Sequence, residues 1–330
     1  VSEEVEPWPV AGLYDANHYR DAVRDLYKTG PGHGESTGYP VVDDIYTVVQ
    51  GQVCIVTGIP GSGKSEFIDQ LMFNLAKKQE WKFAICSFEN PPDFHIPKLA
   101  EKYTELPFFE GPSERMSNDQ REEALGWIND HFTFIDQQDG EPATIDNILS
   151  KASAAVQRLG VRGLVVDPYN YIEIDRSDSE TNEISHILTK VRRFAQAHDL
   201  HVWFVAHPLK LRAMDGRGIP IPKGYDISGS AAWFAKADMG ITVARPWMHK
   251  PTPEDEFGNK MHPDQDDSVE VHVWKARFKW MGKVGLAKLE YDRTNGLYTQ
   301  SLDWGQISQQ LRNNTFAPTV IEGGKMPWDE

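Results

Sequence analysis

From Gln52 onward, short uninterrupted apolar runs alternate with segments whose apolar residues recur every three to four positions. Residues 53–57, 83–87, 132–135, 164–166, 202–206 and 240–244 read as buried strands. Between them, Ile68, Leu71, Met72 and Leu75 share one helical face, as do Ile145, Ile148, Leu149, Ala152 and Val156, and Ile184, Ile187, Leu188 and Val191. Helical patterns also cover about 97–103 and 118–131. Runs apolar on both faces, separated by helices, predict an α/β fold: a mostly parallel twisted sheet flanked by helices.

The pattern changes near Pro253. Residues 251–267, rich in Pro, Asp and Glu, read as an exposed loop, and 269–278 and 284–291 as antiparallel strands joined around 279–283. The last thirty residues have little periodicity and end in Pro327-Trp328-Asp329-Glu330. Near the other end, Tyr19, Ala22, Val23 and Leu26 make a short amphipathic helix, followed by a Gly-rich tether at 29–38. Its apolar stripe must be covered, either by its own core or by a neighbouring subunit. The expected division is a linker at 1–38, one large domain at 39–300 and a tail at 301–330.

Composition narrows the class. With 40% hydrophobic and 25% charged residues the chain suits a soluble globular protein. No apolar run approaches the roughly 20 residues of a membrane span, so no membrane partner is expected. The first residues are acidic and lack an initiator Met, which fits a fragment or a processed chain. Cys54 and Cys86 lie in expected strands, as buried thiols of a reducing compartment do. The expected location is the cytoplasm, with an organellar matrix the less favoured alternative. A net charge of -15 argues against an all-over grip on nucleic acid but leaves room for a local basic channel.

The chemistry starts after the first strand. Gly58-Ile59-Pro60-Gly61-Ser62-Gly63-Lys64-Ser65 matches a phosphate-binding loop, set between a strand and a helix. Its glycines let backbone N–H groups close around an oxyanion at a helix N-terminus. Lys64 is placed to reach the β/γ-phosphates of ATP or another NTP, and the Ser65 hydroxyl to ligate Mg²⁺. Further strands end in polar groups on the same sheet edge. Glu89, after the strand at 83–87, is a candidate base for an attacking water or a solvated turn residue. Asp167 ends an apolar strand as a candidate Mg²⁺ ligand, and His207 ends another as a candidate γ-phosphate sensor. Residues 209–229 read as a mobile loop in which Lys210, Arg212, Arg217 and Lys223 follow a phosphodiester backbone, or as a plain surface loop. Lys275 and Arg277 share one face of a late strand with no acid in view, which invites an external anion such as a neighbouring subunit's γ-phosphate.

Taken in order, these motifs resemble the RecA-like motor domain of hexameric replicative helicases of the DnaB superfamily, above all its Twinkle and phage primase–helicase branch. The likeness spans about 15–298. It rests on the phosphate loop, Ser87-Phe88-Glu89-Asn90, Val165-Val166-Asp167, Ala206-His207-Pro208-Leu209-Lys210, Asp226-Ile227-Ser228-Gly229-Ser230 and Lys275-Ala276-Arg277. The resemblance implies a RecA-like P-loop NTPase that forms a ring, a hexamer by analogy, on single-stranded DNA and unwinds forked duplex. It implies Glu89 as catalytic base, Asp167 as metal ligand, His207 as sensor, and Lys275 and Arg277 as residues acting on the next subunit's site. It also implies Tyr291 stacking on the base, Ser228, Gly229 and Ser230 in the DNA-binding loop, and a docking role for the N-terminal helix. For the tail the competing expectations are a disordered terminus and an acidic tip that docks a polymerase or other replisome protein. A recombinase or KaiC-like ATPase, and a helicase-like loader that does not unwind, are the competing expectations.

Overall fold

The computed structural model describes residues 12–30, 32, 34–136, 140–173, 179–213, 218–251 and 266–300. The strands are β1 (Val53–Thr57), β2 (Phe83–Ser87), β3 (Phe132–Phe134), β4 (Gly163–Asp167), β5 (His201–Val205), β6 (Met239–Ala244), β7 (Ser268–Ala276), β8 (Gly285–Tyr291) and β9 (Tyr298–Thr299). The helices are α1 (Arg20–Thr29), α2 (Pro40–Asp43), α3 (Lys64–Gln79), α4 (Pro92–Thr104), α5 (Asn118–His131), α6 (Ile145–Leu159), α7 (Glu180–Ala197), α8 (Ser230–Lys236) and α9 (Pro246–His249).

The strands form one sheet in the order β3-β2-β4-β5-β1-β6-β7-β8-β9. It is parallel from β3 to β6 and antiparallel from β6 to β9. Two apolar layers cover its faces. Ile68, Leu71, Met72 and Leu75 of α3 pack in one, and the stripes of α6 and α7 pack in the other with Trp233. Trp233, fully buried, sets its ring edge-on to Tyr169 at 4.9 Å and donates from Nε1 to the Ser228 carbonyl at 2.5 Å.

At four places the structure changes the sequence reading or narrows it. α4 begins at Pro92, not Pro97; proline suits the first helical turn, and Pro97 is buried inside the helix. The core takes in the chain from Thr37, with Val41 and Val42 of α2 buried. α1 has no buried residue, and Val23 and Leu26 are 59% and 52% exposed, so its stripe is not covered by its own core. β7 ends at Ala276, and its pairing with β6 shifts between Gly240 and Ile241. That irregularity lays the Trp274 ring against Gly240, where a Cβ would come within 2.3 Å of it.

A buried polar chain joins the front of the domain to the sheet. Trp203 Nε1 donates to Tyr46 Oη at 2.9 Å, and Tyr46 Oη lies 3.1 Å from His201 Nε2. His201 Nδ1 lies 2.7 Å from the Val49 carbonyl, which can only accept; Nδ1 therefore carries the proton and Nε2 accepts from Tyr46. Burial drives the His201 pKa from 6.5 down to about 4, against the pull of the Val49 carbonyl. The unfolded chain therefore binds the extra proton first as pH falls. His201 is expected to cost about 3 kcal/mol of stability between pH 6.5 and 4, with none of that loss above pH 6.5. Urea midpoints across this range check the sign, and His201→Asn should flatten this part of the profile.

Candidate nucleotide site and flanking loops

In parallel α/β sheets, ligands sit beyond the carboxyl ends of the strands. Here that edge gathers the phosphate loop after β1, Ser87 and Glu89 after β2, Asp167 at the end of β4 and His207 after β5. Ser87 and Asp167 are paired in register, and the Phe88 N–H donates to the Asp167 carbonyl at 2.8 Å.

The loop is shaped for a close anion. A Cβ on Gly58 would stand 2.4 Å from the Val243 carbonyl and 2.6 Å from Ser62 Oγ. Gly63 takes a left-handed conformation as the N-cap of α3, aiming the first N–H groups of that helix at the loop. Lys64 is buried and donates from Nζ to the carbonyls of Gly58 (3.1 Å) and Ile59 (3.3 Å). Burial lowers its pKa, opposed by Asp167 and Glu89. Pro60, Gly61 and Ser62 complete the turn, with Ser62 Oγ buried and unpartnered among the described residues.

Ser65 Oγ donates to Asp167 Oδ2 at 2.5 Å. Asp167 is 3% exposed, and its Oδ1 has no hydrogen-bond partner among the described residues. Burial raises its pKa, while the Ser65 hydroxyl and Lys64 act in the opposite direction. A hydroxyl and an orphaned carboxylate oxygen side by side suit a hard divalent cation, and Mg²⁺ typically takes one or two such protein ligands beside phosphate and water. The residues therefore fit Mg²⁺. Among the described residues no cluster of three or more His, Cys, Asp or Glu side chains offers another metal site.

Glu89 and His207 meet across this edge, with Oε1 and Nε2 3.7 Å apart. Burial and Lys64 lower the His207 pKa, with Glu89 pulling it up. The His207 backbone N–H donates to Asn170 Oδ1 at 2.9 Å. Asn170 was not singled out in the sequence; it follows Asp167 in a 3₁₀ turn, Tyr169–Tyr171, a placement that periodicity does not mark.

Tyr291 lies on the flank of the loop. The Arg245 guanidinium sits over its ring at 5.2 Å and also approaches Gly63. Sequence reasoning missed Arg245. The signal was available, because Arg245 is the polar residue that ends the apolar run of β6, as Asp167 ends β4.

Lys275 and Arg277 lie elsewhere. Asp238 exchanges backbone and side-chain hydrogen bonds with Val53, at the start of β1, and Arg277 N–H donates to the Asp238 carbonyl at 2.8 Å. The phosphate loop follows the other end of that strand, about 13 Å away. The expectation of no nearby acid is corrected. Arg277 Nε pairs with Asp238 Oδ1 at 2.8 Å, and Arg192 pairs with the same oxygen at 3.2 Å. The acid was hidden because it stands just before β6 and meets Arg277 only through strand pairing. Arg277 Nη2 also donates to the Ala235, Lys236 and Ala237 carbonyls, and Lys275 Nζ to the Phe234 carbonyl. Burial, and then Arg277, lower the Lys275 pKa to about 8.

Lys210, Arg212 and Lys223 are exposed beyond the same sheet edge as His207. Arg217 lies outside the described residues. The expected free loop is anchored where it is described. Leu209 N–H donates to the Asp226 carbonyl at 2.7 Å, Pro208 bridges Ile227, and Thr242 Oγ1 donates to the Pro222 carbonyl at 2.5 Å. Gly224 begins a 3₁₀ turn against the Trp274 ring. Ser228 is half-buried, Gly229 is left-handed and Ser230 opens α8. A cavity of about 410 Å³, lined by Ile59, Pro60, His207 and Leu209 among others, separates the phosphate loop from the basic segment. The tail beyond residue 300, with Pro327-Trp328-Asp329-Glu330, and most of the 251–267 segment lie outside the described residues.

The DnaB-like helicase C terminal domain family matches residues 34–299. The chain is 43% identical over 306 residues to the Twinkle homolog protein, chloroplastic/mitochondrial, of Arabidopsis thaliana, covering 90% of this chain and 41% of that protein. It thus spans about two fifths of the length of this curated relative. Among solved structures, the ATPase domain of G40P superposes with a TM-score of 0.69 at 19% identity, covering 88% of this chain and 100% of that one. A DnaB-like replicative helicase, solved in work on its interactions with primase, gives a TM-score of 0.68 at 19% identity over 87% of this chain and 69% of that chain. These superpositions show a shared RecA-like fold. By its family match, the chain belongs to the DnaB-like helicase C-terminal domain family and is a motor domain of the DnaB superfamily.

Proposed function

We propose that this chain is the ATP-driven motor of a replicative DNA helicase, working as a ring, hexameric by family analogy, on single-stranded DNA and separating forked duplex. One observation carries the reading. Lys64, Ser65, Glu89, Asp167 and His207 meet at one sheet edge, while Arg277 stands at the far end of β1, too distant to complete that site within one chain. A head-to-tail neighbour resolves this geometry. The uncovered stripe of α1 supports it, because a ring gives Val23 and Leu26 a partner surface.

Each residue has a defined task. Lys64 and the N–H groups of the loop hold the β- and γ-phosphates. Ser65 and Asp167 hold Mg²⁺, which when bound neutralises charge on the transferring phosphoryl group. Glu89 accepts the proton of the attacking water. His207 lies beside Glu89 and leads directly into Lys210, so movement at the γ-phosphate reaches the basic segment in three residues. In the neighbouring copy, Lys275 and Arg277 present donors to the developing charge. For this, Arg277 must exchange part of its grip on the α8 carbonyls for phosphate oxygens.

DNA contact is tested by salt. Lys210→Ala, Arg212→Ala and Lys223→Ala should each reduce the slope of log affinity against log salt by about 0.7 on single-stranded DNA. Anisotropy titrations at several salt concentrations read this directly; unchanged slopes would place the strand elsewhere. A forked-duplex assay separates a helicase from a loader, since hydrolysis without strand displacement marks the latter. The organelle in the plant relative's name leans against the cytoplasmic placement expected from the sequence.

A further inference from the structure

β9 brings a second tyrosine to the phosphate loop. Tyr298 pairs with Tyr291 across β8 and β9, with ring centroids 5.1 Å apart, and sets its edge against Phe67 of α3. Its carbonyl accepts from Tyr39 Oη at 3.0 Å. These contacts fix the ring, which is 4% exposed.

The hydroxyl is not served in the same way. It is buried, has no hydrogen-bond partner among the described residues, and lies 3.4 Å from the point where a Cβ on Gly63 would stand. Arg245 Nε is likewise buried and unpartnered among the described residues, 4.0 Å from the same point. Orphaned buried polar atoms call for an explanation. Here two converge, from β9 and from the residue after β6, on the last glycine before α3. Burial, with Glu66 and Tyr291 nearby, holds the phenol well above its ordinary pKa, so it is a donor at neutral pH. An arginine Nε is a donor only. Two donors beside a helix N-terminus match an oxygen-rich anion rather than the mixed edge of a base.

We propose that Tyr298 is a nucleotide-positioning residue, whose hydroxyl donates to an oxygen of the phosphate chain, in the subunit that supplies the phosphate loop. This rests on the nucleotide-binding reading above. It also explains why a tyrosine occupies a site whose packing a phenylalanine would satisfy.

Tyr298→Phe removes only the hydroxyl. Calorimetric titration with ADP and Mg²⁺ should show roughly ten-fold weaker binding, while the melting midpoint without nucleotide stays the same or rises, because an unsatisfied group has gone. Pyrophosphate should weaken in parallel and adenosine should not. Unchanged ADP affinity would overturn the proposal. So would a lower nucleotide-free midpoint accompanying the affinity loss, which marks a structural role, or a loss confined to adenosine, which places the contact on the nucleoside. If the unaltered protein itself binds no ADP, the nucleotide reading and this proposal fall together. If it binds normally and the variant matches it, only the role of Tyr298 falls.

Discussion

Lys64→Ala and Arg277→Ala are each expected to cut DNA-stimulated ATP hydrolysis by about 10³-fold or more, yet mixing the two proteins should restore activity. The defects fall at opposite ends of β1, which separates Arg277 and Asp238 from the phosphate loop. Lys64→Ala removes the cation held among the loop carbonyls and next to Asp167. Arg277→Ala leaves that loop intact but removes the donor presented to a neighbour. In a mixed ring, an interface works when an Arg277→Ala subunit supplies the phosphate loop and a Lys64→Ala subunit supplies the finger. Random equal mixing makes about one interface in four competent, so recovery toward a quarter of full activity is expected. Because Arg277 also pairs with Asp238, Arg277→Ala leaves that buried acid with Arg192 and the Val53 N–H; Arg277→Lys, which keeps a charge but loses the planar fork, serves as the folded control.

Glu89→Gln should lower kcat by about 10²- to 10⁴-fold while leaving nucleotide affinity nearly unchanged. The amide keeps the size of the side chain and its place beside His207, but cannot accept the proton of the attacking water. Single-turnover hydrolysis alongside equilibrium ATP binding separates the two effects. Equal loss of both would make Glu89 a binding residue instead. The competing expectation, a solvated turn, predicts neither change. The position of Glu89, 39% exposed but 3.7 Å from His207 and near enough to Lys64 to influence its charge, argues against that bland role.

The parts of this site legible in the sequence are those where local pattern and position coincide. β1, β2, β4 and β5 are buried on both faces, so they appear as continuous apolar runs, and the polar residue after each run marks the ligand edge. Glu89, Asp167 and His207 were found in that way, and Arg245 was open to the same logic after β6. Tyr298 was not, because β9 is two residues long and leaves no periodic trace. Nor was Asp238, which meets Arg277 only through the pairing of β6 with β7. The N-terminal stripe was legible as a helix, but periodicity alone left its own core and a neighbouring subunit as alternative covers; the exposure of Val23 and Leu26 removes the first. The basic segment appeared free because it is rich in Gly and charge; its anchors, Thr242 on Pro222 and Trp274 on Gly224, come from strands distant in sequence.

The central claim is that the phosphate loop is half a site, completed by another copy. Mass photometry with and without ATP, Mg²⁺ and single-stranded DNA, paired with hydrolysis rates on the same samples, tests it most directly. The account predicts assemblies several times the 37.4 kDa chain mass, with DNA-stimulated hydrolysis rising in step with their population. A single 37.4 kDa species that hydrolyses ATP at the full DNA-stimulated rate would contradict it.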